Sequence, residues 1–236
     1  MKENIVVKIG GSLLFDDNHV INYDKITKFC EILKNRKKSG TLVIICGGGS
    51  LARIYIDAVR KFKGSETLCD LFGIEVSRIN AKLIITSFQN FFYPQVPRSI
   101  EELSKALLFE KPIIMGGVQP GQSTTSVALE VADFINASEV VILTDVEGIY
   151  DRNPKEFSDA KLLRNITHNQ LQEIILNATD DRQATAGEYR IFDTVSLQIL
   201  KRSNIIVSVM SGKDLSEFNK FWSGEKSINR TIISKE

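Results

Sequence analysis

The stretch Ile5-Val6-Val7-Lys8-Ile9-Gly10-Gly11-Ser12 decides the fold class. A short Val/Ile run drives straight into two glycines and a hydroxyl residue, the pattern of a buried strand that ends at a ligand-facing loop. The chain repeats the device. Residues 41–46 run into Gly47-Gly48-Gly49-Ser50, 112–115 into Gly116-Gly117, and 139–144 end at Thr144-Asp145. A fifth strand is expected at 204–210. Helix-period stretches occupy 22–38, 50–62, 69–88, 99–108, 124–134, 169–176, 194–202 and 215–221. In the first of these Ile26, Phe29, Cys30 and Leu33 recur at i, i+3, i+4 and i+7, which turns one face inward. Strands alternating with helices give an α/β fold with a mostly parallel central sheet covered on both faces.

Composition narrows the function. The 236 residues carry 30 Lys+Arg against 29 Asp+Glu, a net charge of +1, so nothing in the balance points to nucleic acid or an anionic membrane. No apolar run approaches the roughly 20 residues of a membrane span. Met1 to Gly10 lacks the apolar core of a leader, so a soluble, cytoplasmic chain is expected. Cys30, Cys46 and Cys69 form no CxxC pair and read as buried free thiols. His19 and His168 are too few for a histidine-based zinc site or a Ser-His-Asp triad. Chemistry therefore falls to Lys, Arg, Asp and backbone amides. No repeat or linker divides the chain. Two lobes are expected to meet near residue 136, with 150–161 turn-like and 177–185 a polar loop or lid.

Glycines at the carboxyl ends of parallel strands let backbone N–H groups approach phosphate oxygens, and a following helix N-terminus adds its positive end. One such loop is an ordinary tight turn; several on one sheet edge point to anion binding, and a pair of them suggests two phosphorylated ligands. GxxxxGK[ST] is absent, which excludes a P-loop. Gly47-x-Gly49-x-x-Ala52 satisfies the relaxed dinucleotide fingerprint, with Asp70 21 residues beyond Gly49. That reading requires Asp70 at the end of a second strand. Asp70 instead heads a stretch whose Leu71, Ile74, Ile79, Leu83 and Ile84 suit a helix, and the fingerprint leaves Lys8 unexplained. Lys8 sits in an apolar strand two residues before Gly10, where an ammonium is costly unless it meets an anion or snorkels to solvent. Aimed at the phosphates, it would stabilise a transferring phosphoryl group, chemistry that rests on positioning and electrostatics.

Lys8-Ile9-Gly10-Gly11-Ser12 followed by Gly47-Gly48-Gly49-Ser50 resembles the amino-acid kinase superfamily. The stretches Asp70-Leu71-Phe72-Gly73-Ile74, Arg78-Ile79-Asn80-Ala81, the block from Met115 to Thr124, and Thr144-Asp145-Val146-Glu147-Gly148-Ile149-Tyr150 resemble its archaeal-type uridylate (UMP) kinase branch. The resemblance implies a three-layer α/β/α fold and ATP-dependent phosphorylation of UMP to UDP with Mg²⁺. It implies contacts from Gly11, Ser12, Gly49 and Arg53 to the ATP phosphates, and from Thr144, Asp145, Tyr150 and Asn153 to the ATP nucleoside. On the UMP side it implies Gly48, Asp70 and the block Val118, Gln119, Pro120, Gly121, Gln122, Ser123 and Thr124. Lys8 and Asp193 carry the catalytic expectation. A first lobe, 1–136, would bind UMP and make subunit contacts in a homohexamer, and a second, 137–236, would bind ATP.

Each position has a plainer reading beside it. Arg53 is also a solvated helix residue, Asp70 an N-cap of the helix it opens, Ser123 the start of the next helix, and Asp193 a cap for the helix from Thr194. The chain also departs from the family pattern. Asp145 stands where Asn is frequent, and Glu147 and Asn153 where Asp is usual. Gln198 stands where relatives tend to carry Lys; Lys201, one turn on, is the substitute within reach. These departures keep two alternatives open. One is a kinase of another small phosphate such as isopentenyl phosphate, although those kinases use a histidine near the second glycine loop and Leu51-Ala52-Arg53-Ile54-Tyr55 supplies none. The other is a non-catalytic nucleotide or oxyanion binder like the molybdenum storage proteins of the same fold.

Overall fold

Val/Ile runs that alternate with helices must be shielded from water on both faces, and the computed structural model meets that demand with one twisted sheet between two helical layers. It describes residues 3–16, 18–36, 40–152, 154, 157–177 and 191–235. The strands are β1 (Ile5–Ile9), β2 (Leu42–Cys46), β3 (Ile113–Met115), β4 (Glu139–Thr144), β5 (Ile149–Tyr150), β6 (Leu162–Leu163), β7 (Asn165–Thr167), β8 (Ile206–Ser211) and β9 (Thr231–Ser234). The helices are α1 (Tyr23–Lys34), α2 (Gly49–Lys61), α3 (Glu66–Ser87), α4 (Ile100–Ala106), α5 (Thr124–Phe134), α6 (His168–Asn177), α7 (Thr194–Arg202) and α8 (Ser216–Ser223). A 3₁₀ turn, Gly11–Leu14, follows β1 directly.

The main sheet runs β3-β2-β1-β4-β8-β9-β7, and β5 pairs with β6 in a separate antiparallel hairpin. The first five strands of that order are parallel, while β9 runs antiparallel to β8 and parallel to β7. The five strands expected from sequence are all present, with ends within two residues. The four short ones, β5, β6, β7 and β9, were not expected. β1 lies between β2 and β4, so one continuous sheet crosses the expected lobe boundary.

Period-two alternation divides the core. Val6, Val43, Ile45, Val140, Ile142, Val207 and Val209 pack on one face with Val127, Leu129 and Val131 of α5. Ile5, Val7, Ile9, Ile44, Val141 and Leu143 pack on the other with Phe29 and Leu33 of α1 and Phe218 of α8. Lys8 has the parity of Val6 and therefore lies on the α5 face, opposite Ile45 and Ile142 of its neighbours. The three cysteines are buried and free, as expected.

Helix starts follow capping chemistry. Asn22, Ser65, Ser99, Ser123 and Asp193 each accept a first-turn N–H at α1, α3, α4, α5 and α7. The cap of α3 is Ser65, so Asp70 is the fifth residue of that helix and not its cap. The expected start at 69 was too late because Gly64-Ser65 supplies the turn and the cap. Most of the 177–185 loop lies outside the described residues.

Candidate active site

Four parallel strands deliver their carboxyl ends to one edge, and there the chain turns on glycine. The loop after β1 and the loop after β2 touch main chain to main chain. A Cβ on Gly11 would stand 2.3 Å from the Gly49 nitrogen and 2.4 Å from the Gly47 oxygen. Gly49 adopts φ +69, and a Cβ there would stand 2.3 Å from the Gly11 carbonyl carbon. Only glycine fits either place. Behind this contact, the 3₁₀ turn and α2 begin at Gly10 and Gly48, neither of which carries a capping side chain. Two helical turns thus present their N-terminal amides, unblocked by side chains, at one point of the sheet edge.

The third layer of control comes from α3. Asn80, only 2% exposed, donates to the carbonyls of Gly47 at 2.9 Å and Gly48 at 3.3 Å. One turn earlier, the buried Ser77 hydroxyl accepts the Gly117 N–H at 2.7 Å. Arg78 reaches the Gly117 and Val118 carbonyls at 3.1 and 3.3 Å while pairing with Glu75 at 2.6 Å. A single helix therefore fixes the loops after both β2 and β3. Asn80 and Arg78 fell within the quoted resemblance but had no assigned work, and Ser77 was missed; their signal was polar residues on the inward face of an otherwise apolar helical period.

A cleft of about 210 Å³ opens between these loops, α3 and the start of α5. Of the expected residues it gathers Lys8, Gly48, Gly49, Arg53, Asp70, Gln122, Ser123 and Thr124, together with Ser77, Gly117 and Thr125. Burial pulls the Lys8 ammonium down to about pKa 8, and Asp145 opposes that fall. Arg53 has no ion-pair partner among the described residues, which leaves its guanidinium available to an anion in the cleft. The Asp70 carboxylate accepts the Gly121 N–H at 2.8 Å through one oxygen, joining α3 to the exposed 119–121 loop.

Beyond Asp145 lies a second pocket, of about 590 Å³. Asp145 and Tyr150 line it, with Glu147, Ser211, Lys213, Asp214 and Glu217. Thr144, the last residue of β4, precedes Asp145, and its carbonyl accepts the Gly212 N–H at 2.8 Å. Gly11, Ser12 and Thr144 line neither space; Gly11 packs against Gly47 and Gly49 of the second glycine loop. Asn153 lies outside the described residues. Tyr150 directs its hydroxyl at Glu147 across 3.5 Å, and burial followed by that acid raises its pKa.

Asp193 sits at the rim of the cleft. Its carboxylate caps α7 through the Ser196 N–H at 2.7 Å and also accepts the Ser126 hydroxyl at 2.7 Å and the Ser123 N–H at 3.2 Å. Burial disfavours its charge, and the three serines outweigh burial and hold its pKa low. It therefore ties α7 to the start of α5. Gln198 is exposed and lines neither space. Lys201 does not replace a cleft cation, because its ammonium bonds Gln172 of α6. His19, at φ +63, places Nδ1 3.0 Å from the Ser50 hydroxyl beside the second glycine loop, a contact between residues 31 apart in the chain that no motif marks.

The amino acid kinase family model matches residues 3–211. Uridylate kinase of Methanobrevibacter smithii is 36% identical over 233 residues, covering 98% of this chain and 99% of the relative. Uridylate kinase of Sulfolobus acidocaldarius is 35% identical over 230 residues, covering 97% and 98%. The solved uridylate kinase of Archaeoglobus fulgidus superposes with a TM-score of 0.76 at 28% identity, over 98% of this chain and 100% of that one.

Proposed function

This chain belongs to the amino acid kinase family, and from that premise we propose that it transfers the γ-phosphoryl group of ATP to UMP, yielding ADP and UDP in pyrimidine nucleotide synthesis. The observation that carries the reading is the meeting at one sheet edge of two glycine loops, a partly buried ammonium and a guanidinium with no ion pair among the described residues, beside two pockets of nucleotide scale. Relatives named uridylate kinase, matched over nearly their whole length, supply the acceptor.

In this proposal UMP occupies the cleft. Its phosphate lies between Arg53 and Lys8, and Asp70, an acceptor-only carboxylate, takes the ribose hydroxyls. Gly48 and the 118–124 segment wrap the nucleotide. ATP enters the second pocket, its nucleoside against Asp145 and Tyr150 and its phosphates running back past Thr144 over Gly11, Ser12 and Gly49. The UMP phosphate is already mostly dianionic near pH 7, with a second pKa of about 6, so no general base is needed. Lys8 and the loop amides hold the charge that develops during transfer. Asp193 acts as a positioning residue through Ser123. Among the described residues no three His, Cys, Asp or Glu side chains group to hold a metal ion, so Mg²⁺ fits here as the phosphate complex of ATP, with Asp145 the carboxylate at hand. When bound, it neutralises charge on the β and γ oxygens.

We read residues 1–136 as the UMP and assembly lobe and 137–236 as the ATP lobe, in a cytoplasmic enzyme. No helix among the described residues is long and apolar enough to cross a membrane. The outer face of α2 and α3 exposes Ile54, Tyr55, Leu68, Leu71, Phe72 and Ile79, with Tyr55 and Phe72 stacked at 6.1 Å. Such a face supports assembly with further copies, a homohexamer in our reading. The test of function is ADP formation from Mg·ATP with UMP, CMP, dUMP and isopentenyl phosphate offered separately. Selective turnover of UMP is expected. Preference for isopentenyl phosphate would reassign the acceptor, and ATP binding without turnover of any acceptor would move the chain to a storage or binding role.

A further inference from the structure

The second pocket poses an electrostatic problem for the ligand assigned to it. Asp145, Glu147, Asp214 and Glu217 all line it, against one basic side chain among the described residues, Lys213. Two of the acids are spent locally. Asp214 accepts the Ser216 N–H and hydroxyl at 3.0 and 2.8 Å, and Glu217 takes Lys220 at 2.8 Å and the Asn229 N–H. Lys213 itself is exposed and has no ion pair among the described residues. A polyphosphate entering this lining needs a positive group, and among the described residues Lys213 is the one that lines it.

Its placement is fixed by the sheet. Ser211 pairs with Thr144 at the end of the β4–β8 ladder, and Gly212 donates to the Thr144 carbonyl. A Cβ on Gly212 would stand 2.4 Å from Leu13 Cδ1, so this strand end is packed against the 3₁₀ turn that follows the first glycine loop. In the order β1-β4-β8, Lys8 lies within β1, Asp145 directly follows β4 and Lys213 lies two residues past β8, so the strand that leads to the acid is flanked by strands that carry or lead to a cation.

We propose that Lys213 is a phosphate-binding residue for the donor nucleotide, engaging its phosphate tail from the side of Asp145 opposite Lys8. The inference rests on the reading of the second pocket as the ATP site. It also locates the cation that α7 lacks: Gln198 faces solvent and Lys201 is held by Gln172, so the second positive group comes from the loop after β8.

The test is equilibrium binding of adenosine, AMP and ADP to the wild-type protein, Lys213→Ala and Lys213→Arg at fixed ionic strength. The alanine variant is expected to lose about tenfold in ADP affinity, the scale of one charge-assisted hydrogen bond, with adenosine unchanged and arginine restoring most of the loss. Unchanged ADP binding in Lys213→Ala would overturn the proposal while leaving the ATP pocket standing. An equal loss for adenosine would overturn it too, because the lysine would then shape the pocket and not meet phosphate. A wild-type protein that binds no adenine nucleotide would overturn both this proposal and the reading it rests on.

Discussion

Where β1 and β2 end, main chain lies against main chain; where β4 and β8 end, side chains do the lining. The first region achieves its shape by excluding side chains at Gly11 and Gly49 and by locking the freed carbonyls with Asn80. The second is built from Asp145, Glu147, Tyr150 and Lys213 on loops and a two-residue strand. Backbone cradles tolerate almost no substitution but need no particular charge nearby. A pocket made of side chains tolerates reshaping, and its function follows the charges it carries.

Four substitutions probe that contrast. Lys8→Met is expected to slow phosphoryl transfer by about 10³, the upper scale for one charge-stabilising donor, as read in single-turnover assays. The same change should raise stability. Because burial lowers the Lys8 pKa to about 8, the folded protein binds fewer protons than the unfolded chain between pH 8 and the unperturbed value of about 10.4. Wild-type stability therefore gains with pH across that window. The methionine variant should lead by on the order of 3 kcal/mol below pH 8, and its lead should shrink above it; urea melts at pH 7 and 10 decide this. A backbone cradle predicts a different outcome for Asn80→Ala. Leaving the Gly47 carbonyl unpartnered in a buried site should cost about 2 kcal/mol and lower kcat more than either KM. If kcat holds, the α3 clamp serves folding alone.

Much of this was legible in the sequence, for definable reasons. β1, β2, β3, β4 and β8 announced themselves because each is a dense apolar run buried on both faces. β5, β6, β7 and β9 span two to four residues and carry too little pattern to read. Glycine strings marked the floor of the cleft, since close backbone approach demands them. The clamp from Asn80 and Ser77 was not legible, because its partners lie 33 and 40 residues away along the chain. Asp70 as a helix cap failed to a better cap at Ser65 five residues earlier.

The remaining two substitutions have smaller effects and sit at the seam between the regions. Asp193→Asn should cost about 1 kcal/mol, because the amide keeps one acceptor oxygen for the α7 cap but turns a donor toward Ser123 N–H. Its folded pKa is depressed, so the carboxylate's contribution is present above the unfolded value of about 3.9 and is lost as pH falls through the lower folded one. Thermal melts of variant and wild type should converge in strong acid. Gln198→Lys should change turnover by less than about twofold, since an exposed cation that reaches neither pocket gains little. A tenfold rise would show that α7 does approach the phosphates and would blur the division between the two regions.

The central claim is that two nucleotides occupy two separate pockets, with Lys8 in the smaller one where the transferred phosphoryl group arrives. Binding of UMP measured by calorimetry with and without a saturating, non-transferable ATP analogue tests it most directly. The account predicts one UMP per chain in both titrations, with affinity preserved when the ATP analogue is bound. Displacement of UMP by the analogue would contradict it, because a single shared site cannot carry a transfer between two bound nucleotides.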